Sequence, residues 1–177
     1  MISELEDLEH SLDLAGKVTF HGLAGASNAE ALATTSRLRN KLDALDASII
    51  TAFEATQEHR AEGHASVIGW LQHHCREHND DAAARKRLAK RLRVMPLANQ
   101  AMVDGEITAH HLDVLHRAWR MVDPDAFAIG EQALVDAAVV KRFTDFARLV
   151  EYFIYAAGPT EAADREHKQY EERSLRL

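Results

Sequence analysis

The chain has 177 residues, 46% of them hydrophobic and 28% charged, with a formal net charge of −7. That length and apolar content suffice for one full core, while the acidic start MISELEDLEH and the lack of any apolar run of roughly 18 to 20 residues exclude a recognisable signal peptide or spanning helix. A single cysteine, Cys75, excludes an internal disulfide and fits a reducing compartment, so a cytoplasmic protein away from membranes is expected.

Ala, Leu, Glu and Arg abound against 3 Pro and 8 Gly, and no stretch alternates apolar with polar for long. This predicts an all-α, multi-helix domain over residues 1–177, with one long helix at about 28–62 and a helix-turn-helix-like segment at about 80–121. The N-terminal part, 1–26, reads as a helix and a loop: Ser3 and Glu6 have capping-box spacing, and Gly16 closes the helix before KVTFHGLAGAS. Ser27 and Glu30 repeat that spacing at the head of the long helix, which meets no breaker before Gly63. About 35 helical residues span roughly 50 Å, more than a compact domain of this size easily covers. Leu38, Leu42, Leu45, Ile49 and Ala52 follow strict four-three spacing, the pattern of a helical seam. Two partners suit such a seam: the protein's own helices or a second copy of the chain in a homodimer.

Residues 63–121 form a basic region. ASVIGWLQHHCREH predicts a short helix capped by Ser66 with Ile68, Leu71 and Trp70 inward; Asn79 and Asp80 then offer a fresh cap. The next helix carries RKRLAKRLR, in which Arg85, Lys86, Arg87, Lys90, Arg91 and Arg93 surround an apolar stripe of Ala84, Leu88 and Leu92, and Pro96 limits its end. A short helix to Asp104, a turn at Gly105 and a helix from Thr108 to about Met121 complete a helix-turn-helix order, with His110, His111, Arg117 and Arg120 along the last element. Asp123 and Pro124 open a helix to about Val140, Thr144 opens the apolar DFARLVEYFIYAA, and Gly158 and Pro159 close it. The remaining TEAADREHKQYEER is polar on nearly every face.

Charge is distributed unevenly along this order. Residues 1–84 carry a net −8, residues 85–120 a net +5 and residues 121–177 a net −4. A basic island between acidic flanks is the one-dimensional form of an anion-binding face, so Arg85, Lys86, Arg87, Lys90, Arg91, Arg93, Arg117 and Arg120 are the candidate nucleic-acid contacts, with DNA as the partner class. The competing reading is that carboxylates of the same molecule fold back and neutralise the island. A third is an acidic protein partner docked on the basic helix. The DNA reading requires these cations to be free.

Other motifs point to no chemistry. His74 and His78 stand one helical turn apart beside Cys75, but a metal site needs a further ligand and Cys75 diverges by about 100° along a helix. HGLAGAS lacks the Gly-Lys-Ser/Thr of a phosphate loop. No nucleophile has a base beside it, so no catalytic residue, metal, cofactor or small-molecule substrate is expected.

GHASVIGWL (Gly63, Ser66, Trp70, Leu71), the Ala-Arg-rich helix ending in Leu92 and Pro96, Ala101, GEIT (Gly105 to Thr108) and the closing RSLRL together resemble the N-terminal helical domain of the thirteen-E-twelve repeat family, over roughly residues 30–177. That domain, of unknown function, occurs in bacteria and phages, and longer members carry a C-terminal HNH endonuclease. Leu112 and Asp113 depart from the family pattern, in which a small residue is followed by a basic one, and no HNH motif is present here. The resemblance implies a non-catalytic module that binds DNA, or that targets or regulates an HNH nuclease, with 122–177 leading toward the missing domain. A protein-interaction or oligomerisation module is the alternative.

Overall fold

A computed structural model describes residues 2–19, 21 and 25–158 of the chain. Among them every regular element is helical: α1 (Ile2–Gly16), α2 (Gly25–Thr56), α3 (Glu58–Ala61), α4 (Val67–His74), α5 (Asn79–Leu92), α6 (Pro96–Val103), α7 (Ala109–Met121), α8 (Pro124–Val140) and α9 (Phe143–Ala157). The all-α expectation holds. No helix among the described residues is long and apolar enough to cross a membrane. Pro159, the polar segment after it and RSLRL lie outside the described residues.

Two compact units divide the chain between Ser36 and Arg37, inside α2, where the sequence suggested one domain. The first holds α1 and the opening turns of α2. Within α1, Leu5, Leu12 and Leu14 are exposed, and Ser3 donates to the Glu4 carboxylate at 3.1 Å instead of capping with Glu6.

The second unit is built around α7, which packs against α5, α8 and α9. Its inward line, Leu112, Leu115 and Ala118, is fully buried and is met by Phe146, Val150 and Ile154 of α9 and by Phe127, Leu134 and Val135 of α8. On α7 these residues recur every three positions and on α9 every four, so each set keeps to one face of its helix. Several ends follow their local chemistry. The Ser66 hydroxyl accepts from the Gly69 N–H, and the Asp123 carboxylate accepts from the Asp125 N–H ahead of Pro124 at the first helical position. Thr108 and His111 form a reciprocal capping box, with the Thr108 N–H donating to His111 Nδ1 at 3.3 Å.

Three features depart from the sequence expectation. The long helix starts at Gly25 and stops at Thr56, because Gln57 takes a left-handed conformation, φ 59°, and donates its side chain to the Glu54 carbonyl at 2.7 Å; α3 resumes at Glu58. The α5 cap is His78, whose ring accepts from the Asp80 N–H, in place of Asn79 or Asp80. α9 begins at Phe143, one residue ahead of Thr144.

Two buried polar side chains hold distant elements together. Glu131 on α8 is 4% exposed, and its Oε1 accepts from the N–H groups of Leu97 and Ala98 at 3.0 and 3.1 Å. Met95 has no side-chain cap to offer α6, so a carboxylate from another helix satisfies those first-turn donors and meets the positive end of the helix dipole. Asn40 on α2, likewise buried, donates from Nδ2 to the Gly105 carbonyl at 3.1 Å. Gly105 has φ 82°, and a Cβ there would sit 2.9 Å from the Arg37 carbonyl oxygen. Only glycine permits both this turn and the close approach of α2.

Candidate functional site

The phase of α5 decides what its cations can do. Ala82, Leu88, Ala89 and Leu92 are buried, whereas Ala84, placed on the inward stripe from sequence, is exposed. The inward line therefore runs through positions 85, 88, 89 and 92, and Arg85 lies on its border, one helical turn before Leu88.

Arg85 is clasped from two sides. Its Nε donates to Asp46 Oδ2 at 2.8 Å, its Nη2 to Asp46 Oδ1, and its Nη1 to Glu77 Oε1. Hydrogen bonding to Asp46 is the main reason the guanidinium is held above its ordinary pKa, against the opposing effect of burial. Lys86 Nζ reaches Glu54 Oε1 at 2.7 Å, and that hydrogen bond is the main cause holding the Glu54 carboxyl below the usual carboxylate range. Arg91 pairs with Asp113 of α7, and Arg117 with Glu151 of α9 at 3.4 Å. Each partner lies on another element or in the loop before α5. Asp46 and Glu54 come from α2, the acidic flank that the sequence offered as the competing neutraliser.

What remains is smaller than the sequence island. Arg87, Lys90 and Arg93 are exposed and, among the described residues, stand outside any ion pair. Arg120 is exposed on α7. His116 is kept below the ordinary imidazole pKa first by burial and then by the charges of Arg91, Arg120 and Lys90, so these cations share one neighbourhood. Along α7, Leu112 is wholly buried, His111 is committed to the cap and lies against Phe143 and Phe146, and Asp113 faces Arg91. His110 and Arg117 remain outward.

The α2 helix presents a second surface. Asn40, Ala44, Ala47 and Ile50 are buried within the second unit, while Leu38, Leu42, Leu45 and Ile49 are 38–44% exposed and Ala52 is exposed as well. At 100° per residue these sets occupy opposite sides of the helix. Own-core packing, one of the two partners considered for the seam, is thus provided by a different set of residues. The seam extends about 21 Å, taking 1.5 Å for each step from Leu38 to Ala52. A shallow groove lined by Ser48, Ala52, Ala55 and Arg93 continues it toward α5.

Sequence reasoning paired His74 with His78 and Cys75, but the structure separates them: His78 caps α5, Cys75 is exposed, and His74 instead meets His64 and His73. The available signal was Gly63, whose φ of 85° turns the chain so that His64 folds toward α4. In comparisons with known proteins, no family model, curated protein or solved structure matches this chain.

Proposed function

We propose that the chain is a non-catalytic helical assembly module that associates with a second copy of itself through the outer face of α2. One observation carries this reading: Leu38, Leu42, Leu45 and Ile49 hold four-three spacing on a face that the protein's own core does not use. Such a stripe is self-complementary, because each residue can sit in the hole formed by four residues of an identical helix, and a two-fold axis then repeats every contact. Arg39 and Lys41 border it, one on each side. Sedimentation over a range of concentrations should show a monomer–dimer equilibrium that Leu42→Glu and Ile49→Glu abolish. A strict monomer at high concentration overturns the reading.

A second reading, contact with nucleic-acid phosphates, is favoured by the exposed Arg87, Lys90 and Arg93 of α5. Three phosphate contacts make a modest footprint, so the affinity for duplex DNA would fall with salt along a correspondingly shallow slope. Charge reversal of Arg87, Lys90 and Arg93 should flatten that slope, and reversal of Arg85 should act on stability instead. The likeness to helical domains that precede HNH nucleases joins the two readings: a dimeric handle would present two nucleases, or two weak basic patches, to one duplex.

A further inference from the structure

Three histidines from two segments converge at the end of α4. His64 follows the Gly63 turn and donates its backbone N–H to the His59 carbonyl at 2.8 Å, which fixes the loop over the helix terminus. His73 and His74 occupy the last turn of α4. Ring centroids lie 5.2 Å apart for His64 and His73, 5.2 Å for His64 and His74, and 4.8 Å for His73 and His74. One nitrogen from each ring falls within 4.8 Å of the other two.

The surroundings hold one member in place. The Trp70 ring stacks on His74 at 4.6 Å with a 20° tilt, and Trp70 Nε1 donates to Glu62 Oε2 at 2.7 Å. The same carboxylate oxygen lies 3.5 Å from His74 Nε2. A tryptophan on one face and a carboxylate at one edge therefore orient the imidazole, as outer partners orient metal-binding histidines. Glu62 also brings a carboxylate beside three nitrogen donors.

We propose that His64, His73 and His74 bind one divalent cation of the imidazole-preferring class, of which Zn2+ is the biologically common member, with Glu62 as the charged partner of His74. Tetrahedral coordination at 2.0–2.1 Å sets the nitrogens about 3.3 Å apart, so the rings must close by about 1.5 Å at most. His73 and His74 are exposed and His64 is half-buried, so side-chain rotation suffices and solvent supplies the remaining position. Three nitrogens with one adjacent carboxylate suit Zn2+, Ni2+ or Cu2+ better than Mg2+ or Ca2+, which take oxygen donors. A bound ion would tie the loop after α3 to the terminus of α4.

The test uses the full chain with any affinity tag removed. Calorimetric titration with Zn2+ should give one site per chain, and Co2+ should produce visible absorption bands of a nitrogen-rich, low-coordinate centre. His64→Ala, His73→Ala and His74→Ala should each weaken Zn2+ binding at least tenfold, Glu62→Gln by less, and His110→Ala not at all. Circular dichroism checks the fold of each variant; His73, exposed and in ring contact with His64 and His74, decides the matter should another variant unfold. Absence of saturable binding, or Zn2+ affinity unchanged in His73→Ala, overturns the proposal.

Discussion

The Arg85 guanidinium lies side-on against the Asp46 carboxylate, with Nε to Oδ2 at 2.8 Å and Nη2 on Oδ1, while its third edge meets Glu77. A planar fork and a planar carboxylate share two parallel hydrogen bonds here, a geometry that lysine cannot copy. The first cation of the basic segment is thereby a structural link between α2 and α5.

Breaking that link should act on stability. Both side chains are about 70% buried, so removing Arg85 leaves Asp46 partly desolvated without its fork, and removing Asp46 leaves Arg85 with Glu77 alone. Arg85→Ala and Asp46→Ala are each expected to cost about 1–3 kcal/mol, and a double-mutant cycle by urea denaturation should give an interaction on the order of 1 kcal/mol. Arg85→Lys should recover little. Equal stability of wild type and Arg85→Ala would remove this role.

The Glu131 carboxylate is the tertiary cap of α6. Glu131→Ala strands the Leu97 and Ala98 N–H groups, the second of them buried, and the expected loss is about 1–3 kcal/mol by chemical denaturation. Glu131→Gln keeps an acceptor oxygen but loses the charge at the helix N-terminus, so it should fall between the two. A neutral Glu131→Ala would mean that water replaces the carboxylate without cost.

Gly130 of α8 abuts Phe153 of α9, and a Cβ there would come within 2.5 Å of the ring. Helix propensity alone favours Gly130→Ala by about 1 kcal/mol. Overpacking costs about 1–3 kcal/mol, so the net effect should be destabilising. Phe153→Leu combined with Gly130→Ala should restore part of the loss in thermal melts, because the smaller side chain vacates the space.

His111 makes stability depend on pH. Burial, followed by the charge of His110, holds its pKa below the ordinary imidazole value of about 6.5. The unfolded chain therefore binds more protons in this window, and stability rises with pH. The contribution is present above about pH 6.5 and is lost as pH falls through the lower folded value, where protonation of Nδ1 also removes the acceptor for the Thr108 N–H. His111→Gln keeps a capping-box side chain and lacks the titration, so its denaturation midpoint should decline less between about pH 6.5 and 5. His116, depressed chiefly by burial, contributes a slope of the same sign.

Local chemistry was legible and distant pairing was not. Ser66, Thr108, the Asp123–Pro124 pair, Gly105 and the ends at Met121 and Val140 were read from the sequence, because each depends on neighbours within four residues. The break at Gln57 was hidden, since a left-handed residue that is neither glycine nor asparagine carries no composition signal. Ala82, Ala84 and Ala89 left the phase of α5 ambiguous, as alanine is apolar enough for either face. The fate of Arg85 turned on Asp46, 39 positions away, and the grouping of His64 with His73 turned on a single glycine torsion. The seam on α2 was legible as a pattern; its exposure depended on which other residues of the same helix the core would claim.

The hydrogen bond from Asn40 to the Gly105 carbonyl has a consequence for that seam. It works as a key in a slot: rotating α2 about its axis, or sliding it one turn of 5.4 Å, would leave an amide without a mate in a dry interior. The azimuth of Leu42 and Ile49 is therefore set by a contact on the far side of the rod, and a partner helix meets an edge already aimed at it.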